Sequence, residues 1–148
     1  FVTRKITLGA ANISLGKQYC LYLGNLNAAR DWGHARDYVE CMWKILQQEE
    51  PDDYVIATGE NTSVRDFVRI AFKHVDIDLK FEGEGVDEVG IDTKTGKIVV
   101  RVNPEFFRPT EVDKLLGDPS KAIQKLNWNP RSTSLEDMVK EMVSKDLK

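Results

Sequence analysis

The chain has 148 residues, 41% of them hydrophobic and 30% charged, and 24 acidic against 21 basic side chains leave a formal net charge of −3. That is enough chain for one domain with a core of its own, and the slight acidic surplus argues against a nucleic-acid binder, which carries a basic one. No apolar run is long enough to span a membrane, and no long apolar core follows the basic pair Arg4-Lys5 to make a secretory leader.

In chain order, residues 3–15 read as a helix with Ile6, Ala10 and Ile13 on one face. Leu21-Tyr22-Leu23 is a short strand ending at Gly24-Asn25, a turn signal. Residues 35–47 form a second helix, with Ala35, Tyr38, Val39, Met42, Ile45 and Leu46 at helical spacing, and Pro51-Asp52 break the pattern. Residues 54–57, Tyr-Val-Ile-Ala, predict a buried strand. Ser63 with Asp66 is a capping box, and the helix behind it offers Val64, Phe67, Val68, Ala71, Phe72 and Val75 to a core.

Residues 79–81 predict a short strand, and 89–91 with 98–102 a hairpin across Lys94-Thr95-Gly96-Lys97. Asp118-Pro119 opens a helix with proline at its first position, carrying Ala122, Ile123 and Leu126 and followed by Trp128. A last helix from Leu135 buries Met138, Val139, Met142 and Val143. There are no repeats, low-complexity tracts or obvious linkers, so one α/β domain is expected. Its strands are few and short, which fits a lobe that packs against a partner lobe. A first residue that is Phe and already helical points to a piece of a longer protein.

Cys20 and Cys41, the only cysteines, make neither a disulfide framework nor a zinc spacing and are expected as reduced, buried thiols of a cytoplasmic protein. Asn12-Ile13-Ser14 and Asn61-Thr62-Ser63 match the glycosylation tripeptide and are read as chance matches. His34 and His74 have no ligand-like neighbour at metal spacing, so no metal site is expected.

The strongest candidate site lies in Phe106-Phe107-Arg108-Pro109-Thr110-Glu111, expected at a turn into a short helix. A guanidinium grips a diphosphate with parallel hydrogen bonds, and a carboxylate three residues on can accept from both hydroxyls of a ribose. A surface ion pair at a helix start is the blander alternative. A second candidate runs from Leu23 to Val39. Gly24 and Asn25 end a strand where backbone groups can face a ligand, and Arg30 precedes a helix, a natural place for another phosphate contact. Arg30 could equally pair with Asp31 or Asp37, and Trp32 and Tyr38 read as core. Lys5, in the first turn of the opening helix, joins these by its company with Arg30 and Arg108.

Groups that would do chemistry are missing. No Tyr is followed four residues on by Lys, no GxGxxG follows a strand, and no GxSxG, HExxH or Walker pattern occurs. Catalytic residues are therefore expected outside this chain.

These segments together resemble the GDP-mannose 4,6-dehydratases, which are extended short-chain dehydrogenases/reductases. The resemblance rests on Phe1-Val2-Thr3-Arg4-Lys5-Ile6-Thr7, Leu21-Tyr22-Leu23-Gly24-Asn25, the run from Arg30 to Val39, Val55-Ile56-Ala57-Thr58-Gly59, Phe107 to Val112, Leu116 to Ala122 and Leu126 to Pro130. It implies the C-terminal substrate-binding lobe of such an enzyme, helices with short strands, the Rossmann lobe being absent from this chain. It further implies NADP held by that N-terminal lobe, conversion of GDP-mannose to GDP-4-keto-6-deoxymannose on the way to GDP-fucose and related deoxysugars, and a homo-oligomer.

By the same resemblance Val2 and Lys5 lie near the guanine nucleotide, Leu23, Gly24 and Asn25 wall its pocket, Arg30 and Arg108 contact the diphosphate, and Glu111 binds the ribose. Residues 82–102 are expected as a variable hairpin with no site. The competing expectations are another nucleotide-sugar epimerase or reductase of the same superfamily and a non-catalytic nucleotide-binding module.

Overall fold

The computed structural model describes residues 1–108 and 110–148. They form two compact units, the first built from residues 1–28, 63–113 and 139–148, the second from 29–62 and 114–138. Pro109, part of the strongest candidate segment, lies outside the described residues.

The first unit begins with α1 (Val2–Ser14), which buries Ile6, Ala10 and Ala11 completely. It packs closely on β1 (Leu21–Leu23) because Gly9 leaves room: a Cβ there would stand 2.8 Å from Leu21 Cδ1. Gly16, at φ +69°, ends the helix in the left-handed conformation, and the Lys17 amide returns to the Asn12 carbonyl at 2.8 Å.

β1 is an edge of a four-stranded sheet ordered β1-β6-β5-β4, with β4 (Leu79–Glu82), β5 (Val89–Asp92) and β6 (Ile98–Val102). It runs parallel to β6, with Leu23 opposite Val102, and β5 pairs antiparallel with both β4 and β6. The expected hairpin is therefore present, with a register irregularity at Gly90/Ile91.

α3 (Val64–Lys73) carries the capping box: Ser63 Oγ accepts from the Asp66 amide at 3.1 Å and donates to its carboxylate at 2.9 Å. Its buried stripe is Val64, Phe67, Val68, Ala71 and Phe72, each of the larger side chains contributing about 1.5–3 kcal/mol. Val75 follows the helix and is half-buried. In the same unit the buried Glu88 takes the Arg65 guanidinium in a two-pronged ion pair, at 2.6 Å from Nε and 2.5 Å from Nη2. The last turns of α5 (Leu135–Asp146) bury Val139 and Val143, and Asp146 holds both the buried Thr7 hydroxyl at 2.8 Å and Arg4 at 2.9 Å.

The second unit contains β2 (Ala29–Arg30), α2 (Ala35–Leu46) and α4 (Ser120–Leu126). A short strand β3 (Thr62–Ser63) pairs with β2. The unit's core is Cys41, Ala122, Leu126 and Trp128, with Tyr38, Ile45, Tyr54 and Ile56 packed around it. Trp128 donates its indole N–H to the Asp37 carbonyl at 2.9 Å and meets the Tyr38 ring edge-on at 6.2 Å. The buried Asp37 carboxylate accepts from the Thr133 amide at 2.9 Å. Asp118 Oδ1 accepts from the Ser120 amide at 3.0 Å, which places Pro119 at the cap of α4 rather than inside it.

Further expectations are corrected. Residues 54–57 are extended but form no strand, and Val55 is exposed; a strand needs a hydrogen-bonded neighbour, and the described residues supply none there. On α2 the apolar pattern is real but Val39, Met42 and Leu46 face outward with Trp43, and the buried positions are Asp37 and Cys41. Ile123 is exposed on α4. No helix follows Arg108: a single turn of 3-10 helix at Pro104–Phe106 precedes it, and the described residues from there to Pro119 are irregular. Cys41 is fully buried and Cys20 half-buried, both as free thiols whose pKa values burial raises.

Candidate functional site

In the first unit Lys5 and residues 23–25 meet the Pro104–Phe106 turn at the end of β1. The Leu23 side chain is buried and its carbonyl accepts from the Asn103 amide at 2.8 Å, so it supports the site from behind. That bond brings up the turn Pro104–Phe106, itself capped by Asn103 Oδ1 on the Glu105 amide at 3.0 Å. Phe106 then lies against Gly24 so closely that any Cβ on residue 24 would collide with the Phe106 carbonyl. Asn25 folds its own turn, accepting from the Asn27 amide at 2.9 Å.

From α1, the Lys5 ammonium stands 3.9 Å from the centre of the Phe106 ring, and desolvation lowers its pKa from the ordinary lysine value. Val2 opens the same helix and is partly exposed. Arg108 is exposed two residues beyond Phe106, and Glu111 is half-buried and engaged with neighbours. Lys5, Gly24, Asn25 and the Phe106 turn thus form one wall with a cation and an aromatic face, a surface suited to an anionic, ring-bearing ligand. In sequence Phe106 stands only as a neighbour of Arg108, and nothing in its spacing pairs it with Lys5.

In the second unit Arg30 lies in β2 and its Nη1 donates to the Ala29 carbonyl at 2.9 Å. Asp31 binds the 58–59 turn: Oδ1 accepts from the Thr58 amide at 2.8 Å and hydroxyl at 2.6 Å, Oδ2 from the Gly59 amide at 2.9 Å. Gly33 is pressed under the Tyr38 ring, where a Cβ would not fit. His34 caps α2, its Nδ1 accepting from the Arg36 amide at 3.0 Å. Desolvation first, then the charges of Asp31 and Asp37, raise the Tyr38 pKa. Trp32 is half-buried and, with Thr58, Glu60 and Arg131, lines a cleft of about 180 Å³. Among the described residues no cluster of three or more His, Cys, Asp or Glu could hold a metal, and no helix is long and apolar enough to cross a membrane.

In the first unit the arrangement offers a cation, a backbone turn and an aromatic face. The α/β scaffold of the chain is that of extended short-chain dehydrogenases/reductases. The solved structure of RMD from Pseudomonas aeruginosa complexed with NADPH superposes on it with a TM-score of 0.78 at 14% identity, covering 99% of this chain and 42% of that one. The family model described as GDP-mannose 4,6 dehydratase matches residues 1–142, and the chain belongs to that family.

Among curated relatives, the GDP-mannose 4,6-dehydratase of Sinorhizobium fredii (strain HH103) is 60% identical over 147 residues, 99% of this chain and 42% of the relative. The GDP-mannose 4,6 dehydratase of Dictyostelium discoideum is 57% identical, over 99% of this chain and 41% of its own length. The chain therefore spans about two-fifths of the length of these relatives.

Proposed function

We propose that this chain binds the GDP moiety of GDP-mannose for a protein that converts it to GDP-4-keto-6-deoxymannose. The observation that carries the proposal is the wall formed by Lys5, Phe106 and Gly24 beside Asn25 and Arg108, in a member of this family. Val2 and Lys5 approach the nucleotide, Leu23, Gly24 and Asn25 wall it, Arg30 and Arg108 take the diphosphate, and Glu111 takes the ribose hydroxyls. Guanidinium groups suit the paired oxygens of a diphosphate, and binding energy gathered on this remote part of the substrate positions the sugar for reaction.

The conversion removes one water from the hexose without net oxidation, and NADP supplies the hydride exchange. This sequence has no glycine-rich cofactor loop: no GxGxxG follows a strand in it. The cofactor belongs to a further nucleotide-binding lobe. Two features of the second unit support a contact with such a lobe: the exposed stripe Val39, Met42, Trp43 and Leu46 on α2, and the extended, unpaired residues 54–57, which could add to a sheet edge.

The test is to incubate the protein, as its gene encodes it, with NADP and GDP-mannose and follow the nucleotide sugar by mass spectrometry. Loss of one water from the sugar supports the proposal. An unchanged mass with a new stereoisomer would assign an epimerase, and no reaction with retained GDP binding a non-catalytic nucleotide-binding module.

A further inference from the structure

Asp31 adjoins the arginine assigned to the diphosphate, yet its carboxylate is committed elsewhere. Three donors reach it: the Thr58 amide at 2.8 Å, the Thr58 hydroxyl at 2.6 Å and the Gly59 amide at 2.9 Å. Both oxygens are used, and bonds to an ionised acceptor are about twice as strong as neutral ones. The turn they grip is itself tied down. Arg131 Nη1 donates to the Thr58 carbonyl at 3.1 Å, and the Thr58 hydroxyl oxygen accepts from the Glu60 amide at 3.1 Å. Gly59 holds φ +79°, and a Cβ on it would stand 3.3 Å from Pro119 Cδ. On the other side of Asp31, Gly33 is closed off by the Tyr38 ring and His34 caps α2.

The five residues from Arg30 to His34 are thus fixed by a strand, a carboxylate clamp, a close ring contact and a helix cap. Arg30 shares its peptide unit with Asp31, so the direction in which its long side chain leaves the backbone depends on that clamp.

We infer that Asp31 is a positioning residue for Arg30, holding the guanidinium where it meets the diphosphate of a nucleoside-diphosphate sugar through a clamp on the Thr58–Gly59 turn. The inference rests on the assignment of Arg30 to the diphosphate. It goes beyond that assignment in giving the neighbouring acid a role in ligand affinity rather than in charge pairing or chemistry.

Asp31→Asn is the discriminating variant. It keeps the shape and one acceptor oxygen, but its amide would face the Gly59 N–H donor to donor. Calorimetric titrations of GDP and of guanosine into the protein as its gene encodes it, into Asp31→Asn, Arg30→Ala and the double variant, separate the possibilities. The expected result is a loss of about five- to tenfold in GDP affinity for Asp31→Asn with guanosine affinity unchanged, and no further loss when the change is made in the Arg30→Ala background.

Equal weakening of GDP and guanosine, or an undiminished effect of Asp31→Asn without Arg30, would overturn the inference in favour of a purely structural role. GDP affinity that ignores Asp31→Asn but responds to Arg30→Ala overturns it while leaving the diphosphate assignment standing. GDP affinity indifferent to Arg30→Ala removes the assignment and the inference together. Should Asp31→Asn fail to fold, Thr58→Val removes one donor of the clamp, with a smaller loss confined to GDP expected and no loss overturning the inference.

Discussion

The Lys5 ammonium sits 3.9 Å above the Phe106 ring, joining the first turn of α1 to a turn 101 positions later in the chain. An aromatic face attracts a cation by about 0.5–1 kcal/mol at a partly exposed site. The same contact removes water from the ammonium, which strengthens its attraction for an anion brought to the wall. Lys5→Met should therefore leave the fold in place and weaken GDP binding by about 1 kcal/mol, a factor of about five. Calorimetry with GDP, beside a thermal melt, checks both halves.

Gly24 makes a steric prediction. Alanine there must push the Phe106 carbonyl away and with it the Pro104–Phe106 turn. A strained small-to-large change of this kind costs about 1–3 kcal/mol, and Gly24→Ala should lose that much in urea unfolding as well as GDP affinity. Wild-type stability in this variant would contradict the close contact.

Glu88 answers a different question, what holds the first unit together. It is buried and bound at both oxygens by Arg65, whose side chain is about one-fifth exposed. Removing one member of such a pair leaves the other charge uncompensated. Glu88→Ala should destabilise by about 2 kcal/mol, less than for a fully buried pair because water reaches Arg65. Double replacement of Arg65 and Glu88 by apolar residues should recover part of the loss, and a double-mutant cycle in urea measures it.

Acid should act on the second unit through Asp52. Hydrogen bonds from Lys121, the Asp53 amide and Lys125 lower its pKa from 3.8 to about 2. The folded state thus holds this group's proton less tightly than the unfolded chain does. Its contribution is complete above about pH 4, and is lost as pH falls through about 2. Asp52→Asn should flatten stability against pH in that window alone. A pH series of chemical unfolding curves tests the sign.

Much of the scaffold was legible because local chemistry and burial agreed. The Ser63–Asp66 box, the stripe Val64-Phe67-Val68-Ala71-Phe72 and the hairpin around Thr95-Gly96 each depend on residues close in sequence, and each forms as expected. Ser134 with Asp137 is a second capping box of the same pattern, with Ser134 Oγ accepting from the Asp137 amide at 3.0 Å, and was equally readable in the sequence. Residues 54–57 misled because β-branched, apolar composition predicts a strand only if a neighbour completes its hydrogen bonds. The outward stripe of α2 misled for a related reason: periodicity finds the apolar face but not what covers it.

Arg30, Arg108 and Glu111 stand out in the sequence by residue type alone, and the roles proposed for them rest on that type and on the family. Their supports did not show. Phe106 meets Lys5 and Gly24 across long stretches of chain, and Asp31 meets Thr58 across 27 positions, contacts that no spacing rule encodes.

Central to the account is that this chain carries a site for the GDP moiety. Its most direct test is a calorimetric titration of GDP into the chain beside its Arg108→Ala and Glu111→Ala variants. Saturable binding that both changes weaken by about tenfold, the value of one charge-assisted contact, is the predicted result. Saturable binding indifferent to both substitutions, or none to a chain that circular dichroism shows folded, would contradict it.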